Sequence, residues 1–192
     1  MPDTTIMIIR HAEKPHKSIK GVNDTGAEDD DSLTPRGWAR AGAVACLFAP
    51  RGAMKVGALP SPDRIYASAR QHHDTVAGQR IGSHSQRPLQ TIAMLAEKLK
   101  LDPINKFTMG QEAQLATEVT AAGEVSLISW QHEKIVEIGT AIMGRAGNGM
   151  PQDWPDDRFD LVWVFERSAS AKTWSFRQVC QELLPGDSSK PA

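Results

Sequence analysis

At 192 residues and 40% hydrophobic content, the chain is long enough for one globular domain that buries a core and shapes a cleft. Its 22 Lys+Arg nearly balance its 23 Asp+Glu, which excludes an overall field that would attract nucleic acid or an anionic membrane. No apolar run approaches the roughly 18 residues that span a bilayer, and no secretory signal is recognisable, so we expect a cytoplasmic protein. Cys46 and Cys180 lack the close spacing of zinc or redox motifs and are predicted to be buried thiols.

The N-terminal segment predicts a buried strand followed by a loop. Residues 4–9 form a nearly continuous apolar run, typical of a strand covered on both faces, and the run stops at Arg10 and His11. Residues 14–32 are polar and change from basic to acidic along their length. They are predicted to form a long mobile loop.

A helix, a second strand and a second loop are predicted next. Thr34 is an N-cap residue with Pro35 at the first helical position, and apolar residues recur at helical spacing over residues 35–49. Residues 63–68 predict a strand. The polar stretch 69–86 that follows is predicted to be an inserted loop.

The middle of the chain predicts two helices and a strand. Pro88 at a first helical position makes Arg87 the cap residue of one helix, and residues 111–122 predict the other. Residues 125–130 form the next apolar strand. Like the first strand, it runs straight into a histidine, His132.

The C-terminal part predicts a helix over residues 134–143 and a strand over residues 159–165. Residues 171–179 are predicted to return antiparallel to that strand as a hairpin. The polar tail 185–192 is predicted to be disordered, which leaves a single domain over residues 1–184.

Alternation of strands and helices predicts a three-layer α/β/α fold with an open, mainly parallel sheet. In such sheets ligands bind beyond the carboxyl ends of the strands. His11 and His132 each follow a buried strand at that edge. Arg87 opens a helix that is expected to face the same crevice.

These converging groups suit a phosphate site. The guanidinium groups of Arg10 and Arg87 offer bidentate charge-assisted hydrogen bonds, and a helix N-terminus adds backbone donors. A neutral His11 can attack phosphorus and form a phosphohistidine that water hydrolyses. A protonated His132 can stabilise the negative charge of the phosphoryl oxygens. A carboxylic acid must protonate the leaving oxygen, but we expect neither a metal nor another cofactor.

Three motifs occur in order along the chain. They are Arg10-His11-Ala12-Glu13, Leu33-Thr34-Pro35-Arg36-Gly37-Trp38-Ala39-Arg40-Ala41 and Ser85-Gln86-Arg87-Pro88-Leu89-Gln90-Thr91. Together they resemble the signature of the histidine phosphatase superfamily, which includes phosphoglycerate mutase-like enzymes and histidine acid phosphatases. The strand before His132 matches the position of that family's second histidine. The resemblance covers about residues 4–140 and implies a phosphoglycerate mutase-like fold and a phosphate pocket of Arg10, His11, Arg87 and His132.

Two positions depart from the family pattern. The family's serine and phosphate-binding arginine lie a few residues apart, whereas Ser68 and Arg87 are separated by the 69–86 loop. Arg70 is therefore a rival to Arg87 for the phosphate role, and the role of the loop stays open. Ala12 replaces the glycine that usually follows the first histidine.

The resemblance offers two positions for the leaving-group acid. An aspartate follows the second histidine in the acid-phosphatase branch, and Glu133 takes that place here. Mutase-like members draw the acid from elsewhere, for which Glu112 is the counterpart. Glu133 is preferred, although a carboxylate there also suits the start of a helix. Glu13 is either a catalyst or a salt-bridge partner in a loop.

Three further histidines raise the question of a metal. His72 and His73 are adjacent, which does not match the i, i+4 spacing that places two imidazoles on one helix face, and His84 lies in the same polar stretch. A solvated loop without metal is therefore predicted.

The leading functional prediction is a metal-independent phosphomonoester hydrolase that acts on a small phosphorylated molecule or a phosphoprotein. The alternatives are a phosphoryl mutase, a metallohydrolase, and an inactive module that binds phosphorylated ligands. Nucleic acid and membranes are not expected partners, and the substrate and oligomeric state stay open.

Overall fold

The computed structural model describes residues 3–50, 59–71, 74–76, 79–81, 83–144 and 149–192. The strands in these residues are β1 (Thr4–Arg10), β2 (Arg64–Ala67), β3 (Asp74–Val76), β4 (Gln79–Ile81), β5 (Val125–Trp130), β6 (Leu161–Arg167) and β7 (Ser175–Cys180). The helices are α1 (Pro35–Phe48), α2 (Arg87–Leu99), α3 (Glu112–Ala122) and α4 (His132–Met143). Each predicted strand and helix is present, with boundaries that differ by a few residues.

The main sheet has the strand order β2-β5-β1-β6-β7. β1 pairs in parallel with β5 and antiparallel with β6, while β2 is parallel to β5 and β7 antiparallel to β6. A parallel core with a C-terminal antiparallel hairpin confirms the predicted α/β class. Because β1 is central and covered on both faces, its residues 6–9 are fully buried, which explains their continuous apolar run.

Two hydrophobic clusters lie on opposite faces of this sheet. One joins α1 and α2 to the sheet through Val44, Phe48, Ile92 and Leu95. The other joins α3 and α4 to it through Leu115, Val119, Ile135 and Ile138, and includes the aromatic residues Trp130, Trp163 and Phe165. Successive residues of β1 alternate between the clusters, as the pleat of a strand requires. The three-layer architecture is confirmed.

The start of α1 packs directly against Glu13. The N-cap Thr34 accepts a hydrogen bond from the backbone of Gly37 at 3.2 Å and donates to the Glu13 carbonyl at 3.2 Å. A Cβ at Gly37 would lie 2.7 Å from that carbonyl oxygen, so only glycine allows this approach. The helix start is thereby fixed against the segment that follows β1.

The two predicted loops contain more structure than expected. In the 14–32 loop, backbone bridges join His16 to Ile19 and Val22 to Glu28. In the 69–86 loop, β3 and β4 pair as a small antiparallel sheet. His72 and His73 lie outside the described residues.

Residues 185–192 differ from the disordered tail predicted for them. Asp187 accepts a hydrogen bond from Arg40 at 2.7 Å, and the backbone of Ser188 donates to Asp160 at 2.7 Å. The physical reason is that Arg40 is buried and needs carboxylate partners, a requirement that the composition of the tail does not reveal.

The prediction for the cysteines was wrong. Cys46 is exposed, because it lies on the outward face of α1, and Cys180 is partly buried in the edge strand β7. No helix in the described part of the chain is long and apolar enough to cross a membrane.

Candidate active site

His11 follows the last residue of β1 and is 3% exposed. Its Nδ1 lies 2.7 Å from the carbonyl oxygen of Ala12. Because a carbonyl can only accept, Nδ1 carries the proton and the lone pair of a neutral ring is on Nε2. Burial lowers the pKa of His11 well below its usual value, and the nearby cations Arg87 and Arg10 lower it further. The ring is therefore a neutral imidazole at physiological pH, the form that acts as a nucleophile.

Arg10 is a buried guanidinium beside this histidine. Its Nη1 donates to the carbonyl oxygen of Asp156 at 2.5 Å, and its guanidinium carbon lies 3.9 Å from the centre of the Phe159 ring. Its Nε and Nη2 are buried and have no hydrogen-bond partner in the described residues. Burial lowers the pKa of Arg10 to about 10, against the opposing effect of nearby carboxylates such as Glu133. A bound anion would satisfy these donors.

Arg87 is the first residue of α2, one position inside the helix rather than at its cap, which is Gln86. Its Nη1 donates to the carbonyl oxygen of Asp30 at 2.8 Å, while its buried Nε has no partner within the described ranges. Burial lowers the pKa of Arg87 as well. The rival, Arg70, has a half-exposed side chain that donates to the carbonyl oxygen of His84 at 2.9 Å.

Thr91 ties the start of α2 to the nucleophile segment. Its hydroxyl donates to the carbonyl oxygen of Arg87 at 2.7 Å and accepts from the backbone of Ala12 at 2.8 Å. This bridge explains how Arg87, distant in sequence, comes close enough to His11 to influence its pKa.

His132 is the first residue of α4 and is 7% exposed. Its Nε2 lies 2.6 Å from a carboxylate oxygen of Asp156, and its Nδ1 lies 3.0 Å from a carboxylate oxygen of Glu133. Burial lowers the pKa of His132, as does Arg10, whereas the two carboxylates oppose that shift. Since Arg10 is opposite Trp130 in the parallel pair β1–β5, both histidines follow strands at the same edge of the sheet.

The carboxylates near these groups differ in their environments. Glu133 is half exposed at the start of α4, beside His132. Glu112 is buried, and its two oxygens accept from the indole of Trp130 at 3.1 Å and from the backbone of Gly110 at 2.9 Å. Glu13 binds Arg36 at 3.1 Å and Arg40 at 2.9 Å, so it occupies the salt-bridge role.

Two residues at the site were not predicted from the sequence. Asp156 contacts His132 through its carboxylate and Arg10 through its carbonyl. Phe159 covers Arg10, and its ring centre lies 6.4 Å from that of His11. Both lie in the segment between α4 and β6, and no local spacing or motif in the sequence singles them out.

Two cavities open beside the site. One, of about 500 Å³, is lined in part by Lys14, Ile19, Asp156 and Phe159. The other, of about 600 Å³, adjoins His132. Within the described residues, no group of three or more His, Cys, Asp or Glu side chains is arranged to hold a metal ion.

Comparison with known proteins finds similarity in the structure of this chain but not in its sequence. Neither a protein-family model nor any curated protein matches this chain by sequence. The mycobacterial glucosyl-3-phosphoglycerate phosphatase matches its structure with a TM-score of 0.53 at 11% identity, over 91% of this chain and 97% of that one.

Two further structures, mycobacterial hydrolase 1 and mycobacterial hydrolase 2, match with TM-scores of 0.54 and 0.51 at 11% and 10% identity. The first match covers 91% of this chain and 97% of that one, and the second covers 93% and 90%. The chain therefore shares its fold with a phosphatase and two hydrolases, and its chemistry has to be argued from its own residues.

Proposed function

We propose that this protein is a phosphomonoester hydrolase that forms a phosphohistidine on His11. The observation that carries the proposal is a buried neutral imidazole near the buried guanidinium group of Arg10 and the partly buried one of Arg87. Both guanidinium groups keep a buried nitrogen without a hydrogen-bond partner within the described residues. Such donors match the oxygens of a phosphoryl group. The shared fold with a glucosyl-3-phosphoglycerate phosphatase supports the same class of reaction.

In the first step, Nε2 of His11 attacks phosphorus in line with the leaving oxygen. The N–P bond forms as the P–O bond to the alcohol breaks, and the departing oxygen takes a proton from a carboxylic acid. In the second step, water attacks phosphorus, the N–P bond breaks, and the proton of the water passes to the same carboxylate. The guanidinium groups of Arg10 and Arg87 stabilise the non-bridging oxygens in both steps. His132 adds to this stabilisation when it is protonated, a state that the carboxylates of Glu133 and Asp156 favour and burial opposes.

Glu133 is our preferred acid. Its carboxylate lies 3.0 Å from His132 and is half exposed, so it is open to a bound ester. The alternative, Glu112, has both carboxylate oxygens engaged by Trp130 and Gly110. Asp156 contacts His132 and is best assigned to holding that ring.

The proposal includes a metal-independent mechanism, because guanidinium and imidazole groups supply the electrophilic assistance that a metal ion would otherwise give. It also includes a small phosphorylated molecule as substrate and a cytoplasmic location, as expected from the sequence. A phosphoryl mutase would use the same phosphohistidine but return the phosphoryl group to an alcohol rather than to water.

The test is turnover of a panel of phosphate monoesters in excess chelator, with trapping of the phosphoenzyme. We expect release of inorganic phosphate and an acid-labile, base-stable phosphate label on the wild type, and neither on His11→Ala. Glu133→Gln should slow alkyl phosphates by about 100-fold or more but largely spare a nitrophenyl ester, since nitrophenolate leaves without a proton.

The outcomes separate the alternatives. Undiminished labelling of His11→Ala would overturn the nucleophile assignment. Loss of activity in chelator with rescue by a divalent ion would favour a metallohydrolase, and phosphoryl transfer to an added alcohol without phosphate release would favour a mutase. Equal effects of Glu133→Gln on both kinds of ester in single turnover would reject this acid.

A further inference from the structure

The cavity of about 500 Å³ shares Phe159 and Asp156 with the phosphate site. Phe159 lies against the guanidinium group of Arg10 and near the ring of His11, and Asp156 contacts His132. The volume falls within the range of roughly 300–1,000 Å³ typical of small-molecule sites. A phosphoryl group held by Arg10 would therefore place the rest of its ester at this cavity.

Ile19 is an exposed apolar residue in the wall of this cavity. Its residue surface is 56% exposed, and only one other large hydrophobic residue in the described ranges, Met94 at 41%, is comparably exposed. The turn that carries Ile19 is held by two backbone hydrogen bonds to His16, at 3.0 and 3.1 Å, and contains Lys17 at a φ of 53°. A non-glycine residue in this conformation costs free energy. The turn therefore keeps Ile19 exposed to solvent even though its backbone is locally strained.

Apart from Ile19 and Phe159, the residues that line the cavity are polar or charged. Arg36 and Glu13 bind each other, which leaves them less available to a ligand. Lys14 forms no ion pair among the described residues, and it lowers the pKa of both His11 and His132, so its charge lies within electrostatic range of both rings. The positive charge of Lys14 therefore acts toward the phosphoryl end, and the apolar surface is formed by Ile19 and Phe159.

The separation of the charge of Lys14 from the apolar surface of Ile19 and Phe159 indicates which kind of substrate fits the cavity. A sugar phosphate would bring hydroxyl groups against Ile19 and Phe159, where those groups would lose water without gaining hydrogen bonds. An alkyl or aryl body would instead bury apolar surface on both sides. We propose that the cavity bounded by Ile19 and Phe159 takes the apolar alcohol part of the substrate, so that the protein prefers monophosphates of hydrophobic alcohols over sugar phosphates.

This inference rests on the proposed function, and it is tested with two esters of similar size. Cyclohexylmethyl phosphate and glucose 6-phosphate both carry the phosphate on a CH₂ group next to a six-membered ring. We expect the wild type to favour the cyclohexyl ester by about 10-fold or more in kcat/KM. Ile19→Ser should reduce kcat/KM for that ester by about 5- to 10-fold, mainly through KM, and leave glucose 6-phosphate and methyl phosphate unchanged.

Met94→Ser is the matched control, because it removes the other exposed apolar side chain from α2, away from the cavity. Met94→Ser should leave kcat/KM unchanged for cyclohexylmethyl phosphate, glucose 6-phosphate and methyl phosphate. Equal use of the two ring esters by the wild type, or an equal effect of Ile19→Ser on every substrate, would overturn the inference.

A binding measurement separates this inference from the proposed function. Cyclohexylmethylphosphonate is not hydrolysed, and calorimetry can compare its affinity for the wild type, Ile19→Ser and Met94→Ser. Weaker binding by Ile19→Ser alone supports the apolar pocket even if no ester is turned over. Identical affinities for all three proteins reject the pocket even if phosphatase activity is present.

Discussion

Two buried arginines near the start of the chain have opposite environments. Arg40 binds the carboxylates of Glu13 at 2.9 Å and Asp187 at 2.7 Å, and these partners raise its pKa against the effect of burial. Arg10 binds backbone carbonyls, including that of Asp156, and no carboxylate within the described residues, so burial lowers its pKa to about 10.

These environments indicate different roles: Arg40 stabilises the fold, whereas Arg10 is suited to bind an anionic ligand. Arg40 is neutralised within the fold, and removing it would leave the carboxylates of Glu13 and Asp187 with only the half-exposed Arg36 as an ionic partner among the described residues. Arg10 keeps desolvated donors without partners, which is unfavourable in the absence of an anion. We therefore expect mutation of the first to affect mainly folding and mutation of the second to affect mainly function.

The largest expected effect is on catalysis at Arg10. Arg10→Met should reduce kcat/KM for phosphate monoesters by about 100- to 1,000-fold, because a donor to the phosphoryl oxygens is lost. Its free energy of unfolding should stay within about 1 kcal/mol of the wild type, since unpartnered donors are removed with the charge. Urea unfolding and steady-state kinetics on the same preparation measure both, and a large loss of stability would make Arg10 a structural residue like Arg40.

The next effect is on stability at Arg40. Arg40→Met should lower the free energy of unfolding by about 3–5 kcal/mol, because breaking a buried ion pair leaves uncompensated charge. Arg36→Met is the control: its side chain is 47% exposed, so its contact with Glu13 is screened and should contribute less than about 1 kcal/mol. Equal losses in urea unfolding of the two variants would contradict the distinction.

A smaller effect distinguishes the two candidate arginines that follow β2. Inorganic phosphate should raise the melting temperature of the wild type by binding the folded state. Arg87→Ala should reduce that rise, whereas Arg70→Ala should retain most of it, because Arg70 is half exposed. A larger reduction for Arg70→Ala in the same thermal scans would assign the anion site to the 69–86 loop.

The smallest expected effect is the pH dependence of the ion pair at Asp187. Its hydrogen bonds, of which that to Arg40 has the largest effect, outweigh burial and lower the pKa of Asp187 from 3.8 to about 2. A carboxyl group with a depressed folded-state pKa stabilises the fold above its unfolded pKa, and this contribution is lost as the pH falls through the folded value. Between about pH 4 and pH 2, Asp187→Asn should therefore lose less stability than the wild type, by about 2 kcal/mol. If the free energy of unfolding falls equally with pH in the wild type and in Asp187→Asn, the ion pair of Asp187 makes no such contribution.

The sheet and the histidine positions could be predicted from the sequence because their signals are local. Strand β1 ends one residue before His11 and strand β5 two residues before His132, and parallel pairing brings those ends to one edge of the sheet. The contacts of Arg10 with Asp156 and of Arg40 with Asp187 could not be predicted in this way. They span 146 and 147 residues, and neither aspartate lies in a sequence pattern that identifies its partner.

The position of β1 also has a consequence for the order of folding. This first strand of the chain pairs with β5 and β6, which are formed by residues far later in the sequence. Arg40 likewise forms its ion pair with Asp187, close to the end of the sequence. Contacts of such long sequence separation require large loops to close before any favourable energy is gained, and chains that depend on them fold slowly. Local helices such as α2 and α3 can form early, whereas the surroundings of His11 are completed only when both ends of the chain have met.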